Sequence, residues 1–493
     1  MRRRTFCKNA IAAGVAAALP ACSRSTTDPA TSATINAVTG AGAEISLEST
    51  AVGELSDSLT GRLYLQSHDG YDAVHKVWNG MFDHKRPAMV VRCTSVDDVR
   101  NAVVFASERN LLVSVKGGGH SFPGKSTCDG GMMIDLSLMQ SVEVDVEANT
   151  ARVAGGALLG HLDGAALQHN LVTTAGVVSH TGVGGFTLGG GMGRTDRLHG
   201  LSIDNLLAAT IVTANGDILR VSDDENPDLF WAIRGGGGNF GVVTEFLYRL
   251  HPFNPTVYGG LLVYSFDQAR DLLRLYAEID NQLPDEANVE PSWFVGEDGN
   301  PVVGIEICYA GAGDAGEQAL APIPAFGKRL DGEYGPMSYA ALQTQFDGDM
   351  AHGQLNYLKS GFLGELSEAS IDAMIGNYEG DDLPSVWYQH LGGATSRISP
   401  TATAYSHRAA RYNLGMNALW RDESMSERKI ASLRRYYDAV SPYMGGFYTN
   451  LNEESESKTW GNYGENYPRL AELKATYDPT NLFRLNANIR PAA

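Results

Sequence analysis

Two glycine-rich stretches have residue types and spacings that could bind a nucleotide. GHSFPGKS (119–126) fits the phosphate-loop pattern G-x-x-x-x-G-K-[ST], in which backbone amides and a lysine hold phosphate groups. RGGGGNFGVV fits the dinucleotide pattern G-x-G-x-x-G with Gly236, Gly238 and Gly241. Each pattern indicates nucleotide binding only when particular strands and helices flank it, so the flanking residues decide whether either interpretation holds.

The flanks of GHSFPGKS argue against a phosphate loop and a nucleotide hydrolase. Such a loop needs a strand before it and a helix directly after it, because the helix N-terminus supplies amides for the phosphate. LLVSV (111–115) predicts the strand, but TCDGG (127–131) is typical of a turn and MMIDLSL (132–138) predicts another strand. Lys125 and Ser126 therefore open no helix.

The second stretch has the reverse order of elements. Residues 226–234 predict a helix with Pro227 in its first turn and Gly235 after its end, and residues 242–250 predict a strand. The glycines thus connect a helix to a strand, whereas the dinucleotide pattern connects a strand to a helix. A Rossmann fold is disfavoured.

Strands and helices elsewhere cluster without regular alternation. Ser95 and Asp98 predict a capped helix start, and Asn215-Gly216 predicts a hairpin. Further along, 257–266 and 302–309 predict strands, while 268–283 and 425–443 predict helices. This order indicates an α+β protein.

The segment GVVSHTGVGGFTLGGGMGRTDRLHG (176–200) contains more glycine than ordinary helices or strands tolerate. Each glycine costs about 0.5–1 kcal/mol relative to alanine. Close approach of the backbone to a large flat or phosphorylated ligand would offset this cost. The alternative is a loop that packs against another backbone.

Composition excludes some partners. The 493 residues suit two or three domains, and 57 acidic against 38 basic side chains give a net charge of -19. A nucleic acid would be repelled over most of such a surface. The widely spaced Cys93, Cys128 and Cys308 give no metal-binding spacing, and we predict no metal; one disulfide among them stays open.

The first residues resemble an export signal. Residues 1–22 have a basic start, an alanine-rich apolar run and a small-residue end. RRTFCK resembles a twin-arginine signal and LPAC a lipobox, which would put a lipid on Cys22; a plain cleaved signal is the alternative. We predict a flexible tether at 23–52, a periplasmic or cell-envelope location and no other membrane contact.

Several ordered blocks resemble one family, the covalent flavoproteins related to berberine bridge enzyme, which have the vanillyl-alcohol-oxidase (PCMH) type of FAD-binding fold. The blocks are VKGGGHSFPGKSTCDGGMMIDLSLM, TGVGGFTLGGGMGR, GLSIDNLLAATIVTANGD, DLFWAIRGGGGNFGVVTEF and NYPRLAELKATYDPTNLFRLNANI. The resemblance implies a two-subdomain α/β FAD domain (53–252), a substrate domain with an antiparallel sheet covered by helices (253–440) and a C-terminal segment (441–493) that returns to the FAD domain.

The resemblance also implies how FAD is held. His120 stands where the family's histidine bonds covalently to the flavin, and imidazole is a competent nucleophile at neutral pH. Val178 stands where many relatives have a second linking cysteine, so we predict a single covalent bond. Further cofactor contacts are expected at Gly117, Gly118, Gly119, Ser121, Gly182, Gly184, Gly185, Gly189, Gly190, Gly191, Gly193, Gly241, Val242, Asn486 and Asn488.

A base near the flavin is the remaining requirement. FYTNL matches the family's Y-x-N strand with Tyr448, and a free phenol titrates near 10, so a working base there needs a lowered pKa. Tyr357, Lys359 and His180 are weaker candidates for the substrate cavity. Thr181 stands where plant relatives place a residue that governs oxygen access, so oxidase and dehydrogenase both stay open.

These observations predict an exported FAD-dependent oxidoreductase. It would take a hydride from an alcohol, a sugar hemiacetal or an amine-bearing small molecule, with O2 as the expected acceptor. One alternative is a surface lipoprotein on the same fold that only binds a ligand. The other is an FAD dehydrogenase that uses a different acceptor.

Overall fold

The computed structural model describes residues 34–452 and 454–493. Helices pack on three larger sheets, as the predicted α+β class requires. The predicted signal and lipobox (1–22) lie outside the described residues. None of the helices in the described part of the chain is long and apolar enough to cross a membrane.

The first larger sheet forms from the residues before position 136. In chain order the elements are β1 (Thr34–Val38), β2 (Glu44–Glu48), α1 (Ser49–Asp57), β3 (Arg62–Leu65), α2 (Tyr71–Val74), β4 (Met89–Arg92), α3 (Val96–Glu108), β5 (Val113–Lys116) and β6 (Met132–Asp135). The strand order is β3-β4-β6-β5, with β4, β6 and β5 parallel. The predicted capping box is present, since Ser95 and Asp98 bond each other's backbone at the start of α3.

The predicted tether at 23–52 is wrong from Thr34 onward. Strands β1 and β2 form an antiparallel hairpin, and α1 follows at once. Ala37 and Leu47 are buried in the core of the first sheet, and the carbonyl of Val38 accepts a hydrogen bond from Leu112. Alternating apolar residues thus outweigh a Ser- and Thr-rich composition here.

The second sheet contains only antiparallel pairs. Its region contains β7 (Val142–Asp145), β8 (Thr150–Ala154), α4 (Leu159–Leu167), β9 (Leu171–Val172), α5 (Val183–Leu188), α6 (Asp196–His199), β10 (Leu206–Val212), β11 (Ile218–Ser222), α7 (Pro227–Ile233), β12 (Val242–Arg249) and β13 (His251–Pro252). The order is β11-β10-β12-β8-β7. The predicted hairpin joins β10 to β11, with Gly216 at φ +83°.

Both rejected nucleotide patterns lie where their neighbours predict. Residues 117–131 form a loop between β5 and β6, and no helix follows Lys125. The Lys125 ammonium donates a 2.7 Å hydrogen bond to the carbonyl of Asn486. Residues 234–241 connect α7 to β12. Lys125 therefore helps to hold the C-terminal segment.

The third sheet has eight strands. Its region contains β14 (Thr256–Ser265), α8 (Ala269–Ile279), β15 (Ala287–Val295), β16 (Pro301–Tyr309), α9 (Gly313–Leu320), β17 (Arg329–Asp331), β18 (Tyr334–Ser338), α10 (Tyr339–Gln343), β19 (Leu355–Leu363), α11 (Glu368–Gly376), β20 (Ser385–His390), α12 (Gly393–Ser396), β21 (Tyr412–Trp420) and α13 (Ser426–Val440). The order is β17-β14-β16-β15-β20-β21-β19, and β18 also pairs with β14. Buried side chains of α8, α11 and α13 pack on one face of this sheet. The other face, called the bare face below, is not covered by these helices and lies toward the first two sheets.

The C-terminal segment returns to the second sheet. It contains α14 (Glu456–Tyr463) and α15 (Tyr467–Tyr477). The buried Lys474 donates to the carbonyl of Asn239, whose side-chain oxygen accepts from the backbone N–H of Ile489. The loop after α7 is therefore the anchor of the last residues.

Candidate active site

A cavity of about 850 Å³ lies where the three sheets meet. Ligand pockets usually measure about 300–1,000 Å³, so it can hold a large ligand. Its walls come from the 117–126 loop, the glycine-rich segment, the loop after α7, the bare face of the third sheet and the C-terminal segment. The predicted cofactor residues that line it are Gly117, Gly118, Gly119, His120, Ser121, Gly182, Gly184, Gly185, Gly241, Val242 and Asn486.

His120 stands in the wall on a constrained backbone. Gly119 has a φ of +68°, which favours glycine, and this turn directs the chain past Trp78. The imidazole stacks on the Trp78 indole with ring centres 4.1 Å apart. Its buried Nε2 atom has no hydrogen-bond partner in the described part of the chain. Burial, with smaller effects of His180 and His352, holds the pKa of His120 well below 6.5, so the ring is neutral and nucleophilic.

The glycine-rich segment divides into two parts. A Cβ on Gly182 would collide with the backbone of Gly118, whereas one on Gly185 would meet nothing within 4 Å. Gly118 and Gly182 therefore allow two loops to touch, and Gly185 leaves open space in the cavity wall.

In the second part, from Gly189 to Gly193, the glycines pack against protein and only Met192 lines the cavity. A Cβ on Gly189 would meet the Asn450 side chain, and one on Gly193 would meet the carbonyl of Ala175. For Gly189, Gly190, Gly191 and Gly193 the alternative of a tightly packed loop thus describes the structure. Asn488 also lies outside the lining.

Tyr448 lines the same cavity from a turn, not from the predicted strand. Its hydroxyl accepts hydrogen bonds of 2.9 Å from the Gly191 N–H and from the Asn450 side-chain amide. Burial raises the pKa of Tyr448 to about 12, although both donors act to lower it. A working base at this position was expected to have a lowered pKa, but burial is the largest effect on Tyr448, and no cation of the described residues offsets it.

The bare face of the third sheet supplies a wall that the sequence argument missed. Alternate residues of its strands point into the cavity: Leu261, Glu290, Ser292, Phe294, Glu306, Trp387, Gln389, Asn417 and Leu419, with Arg421 just beyond β21. Side chains two apart share a face of a strand. This period of two was readable in the sequence, but which face is bare depends on where the helices pack.

Tyr357 and Lys359 point away from the cavity. They alternate with residues on the cavity side of β19 and face α13, where Arg434 donates to the Tyr357 hydroxyl. Lys359 pairs with Glu454 at 2.7 Å. Their predicted place in the substrate cavity is therefore wrong, and no residue of β19 is part of the cavity lining.

His180 does not line the cavity, but it lies directly behind His120. The two ring centres are 5.0 Å apart, and His352 lies 5.1 Å beyond His180. Val178 and Thr181 on either side of it do line the cavity. The segment thus presents its neighbours to the cavity and His180 to His120.

Two acids, the half-buried Glu290 and the buried Glu306, face each other on β15 and β16. Glu290 and Glu306 are directly paired across the strands, and Glu306 forms a salt bridge with the fully buried Arg194. Burial and the Glu306 charge raise the pKa of Glu290 to about 8. Arg194, which lies within the glycine-rich segment, thereby ties the second sheet to the third.

The three cysteines are all buried and unbonded. The disulfide that stayed open in the sequence argument is therefore absent from the described residues. Cys93 lies in the core of the first sheet and Cys308 packs beside Tyr339. They act as small apolar residues.

These features fit a flavin. The cavity is large and mainly apolar, glycine backbones form part of its wall, and the neutral His120 that lines it has a ring nitrogen without a hydrogen-bond partner in the described part of the chain. In the described residues no group of three or more His, Cys, Asp or Glu side chains could hold a metal ion.

Comparison with known proteins agrees with this fit. Residues 87–222 match the FAD binding domain family, and residues 448–490 match the family described as berberine and berberine like. The chain is 32% identical to (R)-6-hydroxynicotine oxidase of Paenarthrobacter nicotinovorans over 88% of this chain and 97% of that protein. This chain belongs to the berberine bridge enzyme-like family of FAD-dependent oxidoreductases.

Other members of the family have the same architecture. An FAD-linked oxidoreductase of Dictyostelium discoideum is 32% identical over 89% of this chain and 97% of that protein. The crystal structure of 6-hydroxy-D-nicotine oxidase from Arthrobacter nicotinovorans superposes with a TM-score of 0.80 at 30% identity, covering 88% of this chain and 99% of that one. A chitooligosaccharide oxidase superposes with a TM-score of 0.80 at 25% identity, over 90% and 100% of the two chains.

Proposed function

We propose that this FAD-dependent oxidoreductase oxidises an alcohol, a sugar hemiacetal or an amine-bearing small molecule and passes the electrons to O2. The observation that carries the proposal is that His120 and Tyr448 line one cavity, which also extends along the bare face of the third sheet. When bound there, FAD supplies the hydride-accepting ring. The protein must then hold that ring, orient the substrate and remove a proton.

His120 holds the flavin through a single covalent bond. Its neutral imidazole and the unpartnered Nε2 atom support this role. Val178 offers no nucleophile for a second bond. The backbones of Gly117, Gly184 and Gly185 and the C-terminal Asn486 provide the rest of the cofactor wall.

Tyr448 takes the proton from the substrate hydroxyl or amine. Tyr448 lines the cavity, and its hydroxyl oxygen is fixed by the Gly191 N–H and the Asn450 amide. These two donors stabilise a phenolate, which is the form that accepts the proton. Because burial raises the pKa of Tyr448 to about 12, we expect the rate to increase with pH.

The substrate end of the cavity carries more negative than positive charge. Glu297 and Asp349 line it against Arg421, while Arg194 neutralises Glu306 and the raised pKa of Glu290 leaves that side chain mostly protonated at pH 7. A carboxylated or phosphorylated substrate would be repelled, whereas hydroxyl and ammonium donors would be accepted. This charge balance supports alcohols, sugars and amines as the substrate classes.

A substrate screen tests the proposal. Sugars, alcohols and amines are mixed with the protein without oxygen while flavin bleaching is followed, and O2 is then admitted. We expect one of these classes to bleach the flavin and O2 to restore its colour with hydrogen peroxide formed. Bleaching that O2 fails to reverse would indicate a dehydrogenase, and no bleaching across the screen would favour a ligand-binding protein.

We further propose export by the twin-arginine route, with a lipid on Cys22. The support is the pattern of residues 1–22. Covalent FAD suits export, because a lost cofactor could not be replaced outside the cytoplasm. Fractionation should find the wild type with membranes and Cys22→Ala in the soluble envelope fraction; cytoplasmic wild type would contradict the proposal.

A further inference from the structure

His180 has an unusual environment for a histidine. Both of its ring nitrogens are buried, and neither has a hydrogen-bond partner in the described part of the chain. Buried polar atoms are nearly always hydrogen-bonded, so a half-buried side chain whose two nitrogens are both buried and unpaired requires an explanation. The side chain forms no part of the cavity lining, so direct contact with substrate does not explain it.

The neighbours of His180 point to its role. Its ring centre lies 5.0 Å from that of His120 at an interplanar angle of 43°, and 5.1 Å from that of His352. His352 is exposed on the loop between α10 and β19. Three imidazoles thus run from the proposed flavin attachment point to solvent, and imidazole can both accept and donate a proton near neutral pH.

The backbone holds His180 in this row. The preceding Ser179 bonds the Asp347 carboxylate with both its N–H (2.8 Å) and its hydroxyl (2.6 Å). Asp347 belongs to the same loop as His352, so these bonds keep the loop against the glycine-rich segment. The loop therefore fixes His352 next to His180.

Attachment of a flavin requires a proton acceptor at this place. It breaks one C–H bond of the 8-methyl group and the N–H bond of His120, and it forms one C–N bond. The two electrons reduce the flavin ring, which takes its protons from water, and O2 then reoxidises the ring to give hydrogen peroxide. The imidazole nitrogen that bonds to carbon is the one without a proton, so the proton sits on the other nitrogen. That proton must leave, because otherwise the product would be a cation in a buried site.

We propose that His180 accepts the proton that His120 loses when it bonds to the flavin, and that His352 passes this proton to solvent. The proposal rests on the covalent link at His120. It assigns His180 a role in building the holoenzyme, with no role in substrate turnover. The unpaired nitrogens of His180 are then the vacant acceptor that this single reaction needs.

His180→Gln tests the proposal, because glutamine keeps a polar side chain of similar size but cannot accept a proton. The readout is the fraction of flavin that stays with acid-precipitated protein, followed over time in air with added FAD. We expect attachment about a hundredfold slower than in the wild type, the scale of a lost general base. Total FAD bound before precipitation should be unchanged, and the exposed His169→Ala serves as the matched control.

A second variant separates proton transfer from a structural role. His180→Ala leaves a space next to His120, and added imidazole should restore a large part of the attachment rate in this variant while leaving His120→Ala without covalent flavin. Attachment at the wild-type rate in His180→Gln, or no rescue of His180→Ala, would overturn the proposal. Wild-type protein without acid-stable flavin would contradict the link at His120 itself.

Discussion

Replacing Tyr448 by phenylalanine removes a single oxygen, and the structure predicts two separate consequences. The lost hydroxyl leaves the Gly191 N–H and one N–H of the Asn450 amide without a partner. A buried unpaired donor costs about 1–3 kcal/mol. Tyr448 lines the cavity, so we expect water to replace part of the lost bonding and the free energy of unfolding to fall by about 1–3 kcal/mol in total.

The second consequence is kinetic. Loss of a general base slows a reaction by about 10²–10⁴-fold, which at 1.36 kcal/mol for each factor of ten adds at least about 2.7 kcal/mol to the barrier. Stopped-flow mixing with substrate in the absence of oxygen should therefore show flavin reduction at least about a hundredfold slower than in the wild type. In the wild type the reduction rate should increase with pH, since a raised pKa leaves Tyr448 mostly protonated at pH 7.

Tyr405→Phe is the matched control. Tyr405 is a buried neighbour of Gly190, and its hydroxyl has no hydrogen-bond partner in the described part of the chain. Its loss should leave flavin reduction near normal. Near-normal reduction in Tyr448→Phe, with FAD intact, would remove Tyr448 from the role of base.

Three further predictions concern charged groups outside the substrate end of the cavity. Neither the wild type nor Lys125→Met should bind ATP, but the variant should show faster hydrogen exchange around Asn486 because the bond to its carbonyl is lost. ATP binding that depends on Lys125 would refute this structural role of the lysine. Arg408→Ala leaves the buried Asp204 carboxylate without its two hydrogen bonds of 2.7 and 2.8 Å, so denaturant unfolding should show a loss of about 3–5 kcal/mol; a loss below about 1 kcal/mol would contradict the importance of this pair. Burial raises the pKa of Asp163 from 3.8 to about 7. The contribution of this carboxyl to stability is therefore complete at low pH and decreases by about 4 kcal/mol as the pH rises through 7. Asp163→Asn should flatten the profile of stability against pH between pH 4 and 8, and an unchanged profile would exclude this carboxyl as the cause of the pH dependence.

The sequence was informative where local chemistry determines structure. Turn residues after Lys125 and the proline-started helix before Gly235 predict the two loops correctly, because these signals act over a few residues. The ordered family blocks extend the prediction to the fold and to His120. A match of one short pattern, by contrast, placed Lys125 in a phosphate site, whereas it bonds a carbonyl of the C-terminal segment.

The errors arise where tertiary structure decides. Composition predicts a tether for the residues from Thr34, but their alternating apolar side chains form a hairpin that packs against the first sheet. Tyr357 and Lys359 lie on a strand of the third sheet that contributes nothing to the cavity lining, and helix α13 covers their side. The wall formed by Glu290 and Trp387 could not be predicted, because no local signal tells which face of the third sheet stays bare.

The most direct test of the account is whether FAD is bonded to His120. The purified wild type should be yellow, and the colour should stay with the polypeptide after acid precipitation. In His120→Ala the protein should still bind FAD, and the colour should wash away with the acid. Colour released from the wild type, or retained by His120→Ala, would contradict the covalent link.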